Sequence, residues 1–106
     1  MKTFLILLCE KQQHLLNDHL LKSHIDFLKS LRVQNYLPIC GPFVDNKGAV
    51  LIIKADSMEA AEKIIKQDPF INQNYYKKYV IHEFMVAGDE NNWLSDAQQT
   101  KDNLQK

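Results

Sequence analysis

The sequence has no surplus of either charge: 13 Lys and Arg face 13 Asp and Glu. A chain that binds nucleic acid needs basic residues to replace counterions on the phosphates. Nucleic acid is therefore not an expected partner. Cysteine is scarce as well, with only Cys9 and Cys40. Two thiols in these positions make neither a disulfide framework nor a metal-ligand spacing. The expectation is a pair of reduced thiols in the core of a cytoplasmic protein. No segment approaches the ~20 consecutive apolar residues of a membrane-spanning helix. The apolar run Phe4–Cys9 is shorter than the roughly 7–15 residues of a secretory core, and Leu8 before Cys9 is not a small residue. This stretch reads as a strand, with no membrane partner.

What remains is a chain of 106 residues, 45% of them hydrophobic, which fits one globular domain. A domain this small has a thin core and often gains by associating with a second copy.

Residues 3–9, TFLILLC, are apolar throughout and suit a strand buried on both faces. Over residues 12–34 the period changes. Leu16, Leu20, Phe27, Leu28 and Leu31 recur at three and four, which predicts an amphipathic helix stopped at Asn35. Residues 36–44, YLPICGPFV, are extended but hold two prolines and a glycine, so the strand is irregular or lies at an edge. Residues 45–48, DNKG, form a turn, and 49–55, AVLIIKA, return as its hairpin partner. A second helix opens at Asp56 or Ser57, buries Ala61, Ile64 and Ile65, and ends at Pro69. Residues 70–75 read as a connector and 79–86, YVIHEFMV, as the last strand. After Gly88 the chain turns polar, with Trp93, Leu94, Ala97 and Leu104 hinting at a tail helix. The predicted organisation is a domain over 1–87 and a tail over 88–106.

The order β-α-β-β-α-β predicts an α+β, ferredoxin-like fold with a four-stranded antiparallel sheet and two helices on one face. Residues 49–53 are apolar at odd and even positions alike, so both sheet faces call for cover. Two helices cover one. A homodimer packed sheet to sheet covers the other.

Two ionisable residues fall on buried stripes. At about 100° per residue, His24 lies roughly 40° from Leu20 and Leu28 and about 20° from Leu31. Asp68 continues the face of Ile64 and Ile65, and the proline after it pushes its backbone out of the helical region. Alone, such a histidine is commonly a satisfied core residue, and an aspartate before proline commonly ends a helix. Together, on neighbouring helices, each needs a hydrogen-bond partner, and each is available to the other. A carboxylate beside a histidine holds its tautomer and favours its charged form, which is a frequent acid–base unit. His19 projects to the far side of the helix, His14 is ambiguous near its start, and His82 faces the core or a dimer seam. Neither His14 nor His82 has a ligand spacing that builds a metal site. Gly41, Pro42 and Phe43 could border a pocket, as an edge-strand kink would also explain. Tyr75, Tyr76 and Tyr79 could line one, or fill the core.

The segment HIDFL at 24–28, CGPF at 40–43 and DPF at 68–70, followed by a closing strand, resembles the YciI-like (YCII-related) family over about residues 1–87. The resemblance implies a dimeric α+β barrel with a His–Asp active-site dyad in a small pocket. The dyad falls on His24 and Asp68, with Gly41, Pro42, Phe43 and Phe70 at the pocket. Relatives of this kind include a chloromuconolactone dehydrochlorinase, and the wider superfamily includes muconolactone isomerases. The implied function is acid–base elimination or isomerisation of a small organic acid or lactone, with no metal or organic cofactor. The rival reading is a non-catalytic dimeric module that binds a small metabolite. A third is a haem-binding relative with histidine as iron ligand, which colour on purification would reveal.

Overall fold

The structure is a computed structural model that describes residues 1–105. Strand β1 (Lys2–Lys11) is followed by a single 3-10 turn at Gln13–Leu15 and helix α1 (Asp18–Val33). Strands β2 (Ile39–Pro42) and β3 (Ala49–Ala55) form a hairpin. Helix α2 (Met58–Lys66) leads into a one-turn helix α3 (Pro69–Asn72) and strand β4 (Tyr76–Phe84). Beyond it lie an irregular 3-10 segment at Asp89–Leu94 and helix α4 (Gln98–Leu104). The sheet runs β2-β3-β1-β4, with every neighbouring pair antiparallel. This is the expected α+β split arrangement, with the proline-bearing β2 at an edge.

Local chemistry explains where the elements begin. The first helix starts six residues later than the apolar period suggests. Asn17 accepts a hydrogen bond from the backbone N–H of Leu20 at 2.8 Å and so caps α1. His14 and Leu16 are left outside it. Asn35, just past α1, takes a left-handed backbone with φ of 64°. Ser57, one of the two candidates for the second cap, accepts from the N–H of Ala60 at 3.1 Å.

Pro69 does end the second helix, yet residues 70–75 are not a plain connector. The chain turns helical again at once. Proline has no N–H to lose at a first helical position, and its fixed φ suits one. Asp68, at φ −66° and ψ 121°, caps α3 by accepting from the N–H of Phe70. The last strand begins at Tyr76, three residues earlier than its alternating pattern.

The core lies between the sheet and the helices. Phe4, Ile6, Leu8, Leu51 and Ile53 point to that side and are sealed from solvent. Leu20, Leu31, Ala61 and Ile65 meet them from α1 and α2. By the two-residue period of a strand, Leu5, Leu7, Val50, Ile52 and Val80 point the other way. They remain half-exposed, with no element of the described chain laid over them. His82 pairs with Leu5 on this open face, which settles its two options in favour of the open side.

Candidate functional site

Helix α1 carries His24, and the α2–α3 junction carries Asp68. The His24 Nδ1 stands 2.7 Å from the Asp68 Oδ1, joining residues 44 positions apart in the chain. The two buried stripes therefore do meet. Asp68 is wholly buried, and the His24 side chain is 13% exposed. The same Oδ1 also takes the Phe70 N–H at 2.9 Å. So the cap of α3 and the orientation of the imidazole rest on one oxygen. The other oxygen, Oδ2, is buried without a protein hydrogen-bond partner among the described residues. A fully buried, half-satisfied carboxylate is costly, and native structures keep few such groups.

The Phe70 ring lies flat against the imidazole, with centroids 3.7 Å apart and planes 7° from parallel. Tyr75 and Tyr76 pack behind Phe70 at 4.5 and 5.9 Å. The histidine is thus fixed on two sides. Asp68 determines which ring nitrogen is engaged, and Phe70 determines the plane. The remaining nitrogen, Nε2, makes no hydrogen bond among the described residues.

His24 stands in the wall of a cavity of about 200 Å³ between α1 and the β2–β3 edge of the sheet. Strand β2 contributes Cys40, Gly41 and Pro42. The register places Cys40 opposite Leu51 and Pro42 opposite Ala49, on the helix side. A Cβ added to Gly41 would meet nothing within 4 Å, because by the two-residue period of the strand it would point with Val50 to the open sheet face. Leu21 and Leu28 close the cavity from α1, and Phe70 and Tyr76 from the far end. Among the described residues, no lysine, arginine, aspartate or glutamate stands in this wall. The Tyr76 hydroxyl is pushed up to about 12, by burial first and then by Tyr75 and Asp68. It stays neutral at any ordinary pH.

His24, Asp68, Gly41, Pro42 and Phe70 are therefore brought together. Phe43 is not: it lies one residue beyond β2, at the pair that closes the hairpin. Its N–H donates to the Gly48 carbonyl at 2.8 Å, and its ring lies against the turn at Gly48. Of the three tyrosines that could line a pocket or fill the core, Tyr76 stands in the wall, whereas Tyr75 and Tyr79 do not. Cys40 was not among the predicted pocket residues, although the parity of the strand could have flagged it, since it shares a side with Pro42. Among the described residues, no group of three or more His, Cys, Asp or Glu side chains could hold a metal ion. Nor is any helix among them long and apolar enough to cross a membrane.

Known proteins resemble this chain in sequence and in shape. Its fold matches that of a 5-chloro-2-hydroxyhydroquinone dehydrochlorinase, TftG from Burkholderia phenoliruptrix AC1100, determined in complex with 2,5-dihydroxybenzoquinone. The TM-score is 0.63 at 19% identity, over 85% of this chain and 99% of that one. At that identity the likeness is one of fold. In sequence, the uncharacterized protein YjpA of Bacillus subtilis (strain 168) is 34% identical over 71 residues, which is 67% of this chain and 81% of that protein. The family model of the YCII-related domain matches residues 2–85, the whole of the sheet with its helices, and the chain belongs to that family.

Proposed function

We propose that this protein is an enzyme of its family that uses His24 and Asp68 for acid–base chemistry on a small organic acid or lactone. The observation that carries the reading is the 2.7 Å contact between Nδ1 and a buried carboxylate, on the wall of a cavity. Asp68 holds the tautomer in which Nε2 is the basic nitrogen, and it stabilises the imidazolium that forms, as the acidic member of a catalytic triad does. Nε2 takes a proton from a carbon or oxygen next to a carbonyl or lactone. The electron pair left behind either expels a leaving group, an elimination, or is reprotonated at another atom, an isomerisation. Gly41, Pro42 and Phe70 shape the pocket. The dehydrochlorination named for the structural neighbour falls in the first class. Neither branch calls for a metal or an organic cofactor.

The folded domain spans 1–87, with 88–106 as its tail. A second copy packs on the open sheet face, where Leu5, Leu7, Val50, Ile52 and Val80 need cover. The protein works in the cytoplasm, where Cys9 and Cys40 stay free thiols.

The test is turnover of lactones and small unsaturated acids by the native protein and by His24→Ala. Loss of the general base lowers the rate by roughly 10²–10⁴-fold. A substrate turned over equally by both would end the dyad mechanism. A ligand bound equally by both, with no turnover in either, would establish the rival reading, a non-catalytic metabolite-binding module.

A further inference from the structure

We infer that the cavity beside His24 takes its ligand as an uncharged ring bearing an acidic O–H or C–H, and discriminates against carboxylates. This rests on the site proposed above and narrows its substrate class, favouring the lactone or enol over the ionised acid.

Charge is the deciding feature. The wall is built from Leu, Ala, Val, Pro, Phe and other uncharged side chains, and among the described residues that line it only His24 can carry a positive charge. Arg32 is not among the residues that line the cavity, and its guanidinium is engaged with the Cys40 Sγ at 3.9 Å. Immediately behind His24 stands the Asp68 carboxylate, wholly buried and with Oδ2 unpaired. A carboxylate ligand would enter an apolar cavity that already has one buried, half-satisfied carboxylate behind its wall. Burying a second one is unfavourable unless an imidazolium meets it. An imidazolium has no free pair at Nε2 and cannot serve as the base. A ligand that arrives neutral avoids the conflict. It loses its proton to Nε2, its electron pair stays on the ligand, and the imidazolium then lies between two anions, the ligand on one side and Asp68 on the other. The Tyr76 hydroxyl, held protonated by its burial, adds no charge.

Size and shape point the same way. At about 200 Å³ the cavity is smaller than the roughly 300–1,000 Å³ that drug-sized ligands occupy. It suits a single substituted ring. The parallel Phe70–His24 stack presents a flat aromatic edge at one end of it.

The probes are phenol and benzoate, two rings of near-equal size that differ in charge at pH 7. Binding to the full chain is followed through the backbone amide NMR signals of Gly41, Leu51 and Tyr76. Phenol is expected to move these signals and to bind at least roughly ten-fold more tightly than benzoate. Benzoate binding as tightly as phenol in the native protein overturns the inference and leaves the site itself standing. If neither probe moves the three amides at millimolar concentration, the inference falls together with the site.

Discussion

One sheet presents two apolar faces, and they have different fates. On one, Phe4, Ile6, Leu8 and Ile53 are at most 1% exposed beneath three helices of the same chain. On the other, one residue along each strand, Leu5, Leu7, Val50 and Ile52 remain half-exposed. Their chemistry is the same, and only the connections differ. Both helix-bearing connections place their helices on the first face, as the split βαβ order demands. The covered face forms the core and carries the His24–Asp68 contact. The open face is left as half-exposed apolar surface.

The contrast is broken most severely from the covered side. Phe4→Ala opens a cavity where nothing can collapse into it and should lower the unfolding free energy by ~3–5 kcal/mol. Leu5→Ala, its neighbour on the open face, should cost far less in dilute solution, where association is lost. Urea denaturation of both variants measures the difference. Equal costs would mean that the open face is sealed even in the isolated chain.

From the other side, Ile52→Glu places a charge at the centre of the open face. The expected outcome is a monomer by analytical ultracentrifugation, with its circular dichroism unchanged. A variant that sediments as the native protein does would remove the dimer reading.

A smaller effect tests the one charge buried on the covered side. Asp68→Asn keeps an oxygen for the Phe70 N–H but pairs His24 with a neutral acceptor. A loss of about 1–3 kcal/mol is expected, the range for a buried charged hydrogen bond. It should be accompanied by a shift of the His24 ring nitrogen NMR signals. Unmoved ring signals would show that the two side chains do not interact in solution.

The smallest effect is alkaline. In the folded state Tyr76 keeps its proton up to about 12 rather than the ordinary tyrosine value of 10.0, mainly because it is buried. Between those values the unfolded chain releases a proton that the folded one retains, so stability falls as pH rises. The contribution is complete below pH 10 and gone above 12. Thermal unfolding between pH 9 and 12 should therefore decline less steeply in Tyr76→Phe, a change that leaves the open face untouched.

His24 and Asp68 were legible in advance because helical periodicity places polar residues on a stripe, and a polar residue on an apolar stripe must be satisfied. The edge position of β2 was legible from its prolines. The late start of α1 was not. Apolar period continues back through Leu16, and only the Asn17 side chain reaching the Leu20 N–H ends it. Nor was α3, since a proline that stops one helix is equally suited to begin another. Phe43 was placed at the pocket because it adjoins Gly41 and Pro42, and the hairpin turn carries it away.

By itself the sequence determined the order of elements, the residues that must be buried and the two groups that needed partners. Those properties are written in local periodicity and residue chemistry. Only the tertiary structure decided that one oxygen of Asp68 serves both His24 and the cap of α3, that Phe70 stacks on the imidazole, and that Cys40 and Tyr76 complete the wall. These are meetings between segments far apart in the chain. They depend on where helix axes cross a twisted sheet, to within about an ångström, and no local pattern of residues encodes a distance of that kind.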